Sequence, residues 1–171
     1  MGRIKKRTIF FGSLFVAWLI IIFSFSAMNA NSSTDLTTVT INILTKIREN
    51  NALIDVIFNK LTENYALFYI VRKMAHMFVF CMLQIIVFIF LKTFKLSTIK
   101  SSLISMCIVF LYACTDEFHQ LFVSGRSGQF SDVMIDTFGG FIGLSICLTF
   151  LALKQFIKKM ISLLVNKFQE E

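Results

Sequence analysis

Proline is missing from this chain of 171 residues, and glycine supplies only 7 of them. The two shortages exclude collagen-like repeats and flexible linker arrays, which need abundant Gly or Pro. Charge is scarce as well. Asp, Glu, Lys and Arg make up 16% of the residues, against about 25% in an average soluble domain. Apolar side chains fill the space instead, at 56% of the sequence with 21 Phe, and that composition excludes a disordered, solvated chain. A short chain has too little interior to hide so much oil, because surface grows relative to volume as domains shrink. A mean hydropathy of +0.75 puts one membrane-embedded domain ahead of any soluble class.

The basic excess, 17 Lys+Arg against 10 Asp+Glu for a net charge of +7, would point to nucleic acid in a soluble protein. Here the cations sit in short blocks beside apolar runs, as topology signals do. No nucleic-acid partner is expected; the bilayer is.

A membrane span needs about 20 mostly apolar residues. Four stretches qualify: residues 9–28, 74–91, 98–120 and 133–153. Helices are the spanning form that satisfies every backbone group internally in lipid, and the runs are too long for barrel strands. The expectation is an all-α, integral membrane four-helix bundle forming a single domain over residues 9–153. The first run exceeds the roughly 7–15 apolar residues of a cleaved signal, so it reads as a retained helix.

Lys and Arg are concentrated in residues 1–8, in the 92–100 connection and in the 154–171 tail, with Arg126 alone between the third and fourth spans. The positive-inside bias therefore predicts cytoplasmic ends, N-in and C-in. Residues 29–73 then lie outside. They open polar and become periodic at Ile43, Ile47, Ile54, Phe58, Leu61, Tyr65 and Phe68, an amphipathic helical stripe suited to the outer interface. The four cysteines, Cys81, Cys107, Cys114 and Cys147, all fall in spans without CxxC spacing. They read as packing residues, not as a disulfide frame or zinc ligands.

Ionisable groups inside or at the edge of spans are expensive, and they are not scattered here. Arg72, Lys73 and His76 open the second span; Asp116, Glu117, His119 and Gln120 close the third; Arg126, Asp132 and Asp136 begin the fourth. Alternating helix directions carry all three groups to one membrane face, the outer one on this topology. Arg72, Lys73 and His76 share a helix side by their spacing, as do Tyr112, Asp116, His119 and Gln120. Asp136 lies about 6 Å deeper than Asp132 along its helix. Gly139 and Gly143 admit a close neighbour helix, while Gly125 and Gly128 suit a tight turn around Arg126. Ser131 is placed to cap the fourth helix and Asp132 to complement its N-terminal dipole.

Three cations (Arg72, Lys73, Arg126) face four carboxylates (Asp116, Glu117, Asp132, Asp136), a near-balance that suits an ion-pair network bracing the helices. The same groups suit chemistry. His76, Asp116, Glu117 and His119 are the candidate acid–base residues. His76, Asp116, His119 and Asp136 are the candidate ligands of a divalent metal. Arg72, Lys73, Gln120, Arg126, Asp132 and Asp136 are the candidate ligand-binding residues, with Arg72 and Arg126 suited to a phosphate. The residues alone select neither a reaction nor a cofactor, and both the bracing and the binding readings stand.

Arg72-Lys-Met-Ala-His76 resembles the RKxxH element of VanZ-like membrane proteins. Asp116-Glu-Phe-His-Gln-Leu-Phe-Val-Ser-Gly-Arg126 is similar to that family's DExHQxFxxGR element, and Asp132-Val-Met-Ile-Asp136-Thr-Phe-Gly139 to its DxxxDxxG element. The order and spacing also match. Where many relatives carry an acidic residue and a Tyr, this chain has Val79 and Phe80; the family's Ser/Gln-containing end of helix one is only Ser24-Phe-Ser26 here, without Gln, and Ser124 replaces a frequent Pro. The resemblance implies a bacterial cell-membrane protein of a family whose name member is associated with low-level resistance to the glycopeptide teicoplanin. It implies no settled reaction. The expected partner is an amphiphilic envelope molecule, either a lipid headgroup, a lipid-linked precursor or a lipoglycopeptide. A four-helix multidrug exchanger is disfavoured by the uncharged first span, and a P-loop or dinucleotide glycine pattern is absent.

Overall fold

A computed structural model describes residues 2–28, 38–39, 43 and 66–169. Among them run four long helices: α1 (Gly2–Ser26), α2 (Ala66–Lys92), α3 (Thr98–Gln120) and α4 (Phe130–Gln169). Each is long and apolar enough to cross a membrane, and no strand occurs among the described residues. The protein is an all-α, multi-pass membrane bundle. Of the amphipathic stripe, Ile47, Ile54, Phe58, Leu61 and Tyr65 lie outside the described residues; Ile43 is helical and exposed.

The helix ends follow local chemistry. α2 starts at Ala66, ahead of the 74–91 apolar run, because neither Gly nor Pro interrupts residues 66–73. Lys95 closes the α2–α3 connection at φ 60°, a left-handed position that glycine usually fills. Ser97 then caps α3, its Oγ accepting from the Lys100 N–H at 3.3 Å. α4 continues through the basic residues to Gln169, since nothing after Gly143 breaks a helix. Its start differs from the sequence expectation. The helix begins at Phe130, so Ser131 lies in the first turn and not at the cap. The Asp132 N–H is satisfied by the Gln129 carbonyl at 2.9 Å.

α2 is the most enclosed helix and α1 the least. Phe80, Leu83 and Val87 of α2 pack with Val109 and Ala113 of α3, Val133 of α4 and Ile22 of α1. The α2–α4 contact is the closest in the bundle. A Cβ on Gly139 would collide with the Met77 carbonyl, and one on Gly143 with the Cys81 carbonyl, so two glycines four residues apart let the backbones touch. Lipid gives helices no hydrophobic reason to associate, so polar ties set the register. Trp18 Nε1 donates to the Val79 carbonyl at 3.0 Å, the Tyr112 hydroxyl to the Leu19 carbonyl at 2.7 Å, and Gln84 Nε2 to Ser105 Oγ at 2.7 Å. Large apolar side chains such as Ile20, Ile99, Leu103, Phe138 and Phe150 point outward, where acyl chains would be their solvent.

Candidate functional site

The end of α1, the start of α2, the end of α3 and the start of α4 meet at one end of the bundle, and the ionisable residues meet there with them. His76 of α2, Asp116 of α3 and Asp136 of α4 each place a ligand atom within 4.8 Å of the other two. Three helices contribute one group apiece, so the tertiary packing creates the group. His76 Nδ1 lies 3.8 Å from Asp136 Oδ1. Asp136 is 1% exposed and neither of its oxygens accepts a hydrogen bond among the described residues. A buried carboxylate in that condition carries a large desolvation cost, which an imidazolium, a shared proton or a bound cation would offset. One imidazole nitrogen and two carboxylates form a donor set for a borderline divalent ion such as Zn²⁺ or Mn²⁺.

Beside this triad sits a fully engaged pair. Gln120 Nε2 donates to Asp116 Oδ2 and to Glu117 Oε1, both at 3.1 Å. The other Glu117 oxygen accepts the Gln129 N–H at 2.9 Å. Glu117 thereby ties the α3–α4 loop back to α3. The loop can fold this tightly because Gly125 takes φ 75° and because any Cβ on Gly128 would strike the Glu117 carbonyl. Lys73 is ion-paired with Asp132, joining α2 to the first turn of α4.

Arg126 is spent differently. One nitrogen, Nη2, donates to the Phe25 carbonyl at the end of α1 at 3.2 Å. Its Nε and Nη1 are buried and meet no acceptor among the described residues. Burial pushes the guanidinium below its ordinary value and the neighbouring Arg72 pushes it the same way, while Asp116 and Glu117 oppose them. Arg72 forms no ion pair among the described residues. Arg72 and Arg126 thus act on one another beside the acidic cluster, and neither forms an ion pair with a carboxylate among the described residues.

His119 stands apart from the triad. Its ring stacks on Phe23 of α1 with centroids 4.6 Å apart, and its Nε2 is buried without a hydrogen-bond partner among the described residues. Of the four candidate metal ligands, the structure therefore groups His76, Asp116 and Asp136 and places His119 against α1. Sequence reasoning met Ser26 only as part of the Ser24-Phe-Ser26 end of the first helix, and it did not single out Gln129, Phe23 or the Phe25 carbonyl as parts of this site. Ser26 is 1% exposed beside Asp116, and the Ser-containing end of the first helix was the available signal. Nothing in the sequence announces a backbone carbonyl or a stacked Phe.

Searches of curated proteins and of solved structures returned no match. The VanZ/LLP1 family profile matches residues 11–153, a stretch that includes every element of the cluster. This chain belongs to the VanZ/LLP1 family.

Proposed function

We propose that the cluster is a headgroup pocket, in which Arg72 and Arg126 receive the anionic group of an amphiphilic envelope molecule while His76, Asp116 and Asp136 handle a proton or a divalent cation beside it. The observation that carries the reading is Arg126, whose Nε and Nη1 are buried yet without acceptors. Buried polar groups are nearly always partnered, and a guanidinium fork is matched to phosphate or carboxylate. The chain's Lys/Arg bias puts both termini in the cytoplasm, which sets the pocket at the outer leaflet of a bacterial cell membrane. There it meets the headgroup of a lipid, the head of a lipid-linked precursor or the anchored part of a lipoglycopeptide. A contribution to teicoplanin resistance follows if the molecule bound is one that such drugs must reach.

Bracing is the second reading, favoured by the Lys73–Asp132 pair and by the double engagement of Gln120. One experiment separates the two. Lipids and metals that stay with gently purified protein are compared by mass spectrometry with those held by Arg126→Gln and by Asp136→Asn. A headgroup pocket loses its amphiphile in Arg126→Gln while membrane abundance stays normal and stability falls by no more than the one lost bond to the Phe25 carbonyl costs, about 1 kcal/mol. Unchanged lipid profiles, with lower thermal stability alone, assign the cluster to bracing. Reporter fusions at the two ends test the topology independently.

A further inference from the structure

At the end of the bundle away from the acidic cluster, α1 packs on α2 and α4 packs on α2 and α3, so α1 and α4 leave a groove between them. Its volume is about 670 Å³, within the range of about 300–1,000 Å³ typical of small-ligand sites. Its walls are apolar, with Phe11 from α1, Phe88 and Ile89 from α2, and Phe150 and Leu151 from α4. Its rim is cationic. Arg7, Lys92, Lys95 and Lys154 reach it from α1, α2, the α2–α3 turn and α4 respectively.

No acidic residue lies in the stretches of α1, α2 and α4 that build the groove. No Asp or Glu occurs in residues 1–34, 64–115 or 137–169. Lys92 Nζ donates to the Leu96 carbonyl at 2.8 Å, which fixes its position without cancelling its charge. A hydrogen bond between the Thr8 and Thr93 hydroxyls, 3.2 Å long, pins the start of α1 to the turn and holds Arg7 at the rim. Beneath the rim the apolar lining descends to Ile85 and Ile146, about 10–12 Å below Lys92 and Lys154 by helical rise. The groove therefore has the polarity of one lipid molecule, charge at its mouth and oil along its length.

Cations at helix ends also serve topology, and any of them can snorkel. What distinguishes these four is convergence from four elements on one groove, whereas Lys100 and Lys158 at the same end do not line it. We propose that the groove binds an anionic phospholipid, with an acyl chain lying along α2 between α1 and α4 and its phosphate held by Arg7, Lys92, Lys95 and Lys154. Basic pockets between membrane helices recognise acidic headgroups in this way.

The test is native mass spectrometry of the full-length protein titrated with phosphatidylglycerol or with phosphatidylcholine of identical chains. The wild type retains phosphatidylglycerol preferentially. Removing rim charge in Arg7→Gln/Lys154→Gln weakens that retention about fivefold per cation, whereas Lys100→Gln/Lys158→Gln changes it by less than about twofold. Ile146→Trp, which fills the groove from an outward-facing position, displaces the lipid without lowering the melting temperature. Equal retention of the two lipids overturns the proposal. So does an equal loss in the rim pair and the control pair, or retention unaffected by the tryptophan.

Discussion

Asp136 Oδ1 lies 3.8 Å from His76 Nδ1, and neither Asp136 oxygen accepts a hydrogen bond among the described residues. The pair joins α2 to α4 at the depth where Asp116 of α3 also arrives. Residues this close in a buried site are energetically coupled, typically by about 0.5–3 kcal/mol. A double-mutant cycle of His76→Gln and Asp136→Asn, followed by thermal unfolding in detergent, is expected to return a coupling within that range. A coupling indistinguishable from zero removes the contact from any account of the site.

Two opposing effects decide what alanine does at the helical glycines. Ala is favoured over Gly in a helix interior by about 1 kcal/mol, while overpacking costs about 1–3 kcal/mol. At Gly139 the new Cβ meets the Met77 backbone, which cannot turn aside. Gly139→Ala is therefore expected to lower stability by up to about 2 kcal/mol net. At Gly12 the Cβ meets only the Phe90 ring, at 3.2 Å, and a ring can yield. Gly12→Ala is expected to be neutral or stabilising. Melting temperatures of the two variants in one detergent check the contrast, and equal losses contradict it.

Much of this arrangement could be read from the sequence, and the limits have physical causes. The four spans follow from apolar run length, which is a local property. The gathering of His76, Asp116 and Asp136 follows from alternating helix direction plus the spacing of charged residues. The i,i+4 glycines announced a close approach, though not that α2 was the neighbour. The contribution of α1 was hidden, because its membrane-spanning run, residues 9–28, carries no charge to hint at which face turns inward. Phe23 under His119 and the Phe25 carbonyl on Arg126 are products of that packing. The start of α2 was hidden for another reason. Arg72 and Lys73 lower the local hydropathy, yet a helix needs no apolar residue there to continue back to Ala66.

Gln84 and Ser105 form a buried tie between α2 and α3 whose two ends are not equivalent. Ser105 Oγ accepts from Gln84 at 2.7 Å and itself donates to the Ser102 carbonyl at 3.1 Å. Gln84→Leu leaves the hydroxyl partnered, so the expected cost is near the mean for such bonds in membranes, about 0.6 kcal/mol. Ser105→Ala strands a fully buried amide N–H, for which about 1–3 kcal/mol is expected. Unfolding measurements that rank the two variants in the opposite order contradict this asymmetry.

The thiols report the packing without any change of charge. Cys107 is exposed on α3, while Cys81 and Cys147 are buried at the α2–α4 contact. In detergent a small maleimide is expected to modify Cys107 first and to reach Cys81 and Cys147 only on unfolding. Mass spectrometry of peptides from a labelling time course separates the sites. Early modification of Cys81 would mean that α2 and α4 part more readily than the glycine contacts imply.

Arg126 performs two tasks that one substitution can divide. Its Nη2 holds the Phe25 carbonyl, and its Nε and Nη1 are left over. Lysine keeps a positive charge and one reachable donor for the carbonyl, but it lacks the planar fork that engages an oxyanion with two parallel bonds. If the unspent nitrogens serve a ligand, Arg126→Lys should melt close to the wild type, within about 0.5 kcal/mol as for a substitution that leaves packing intact. The same variant should release most of its co-purifying anionic amphiphile. If Arg126 serves only to dock the loop on α1, lysine should keep both stability and lipid content, and glutamine should lower stability alone. Measuring retained lipid and melting temperature on the same preparations of both variants places Arg126 on one side or the other.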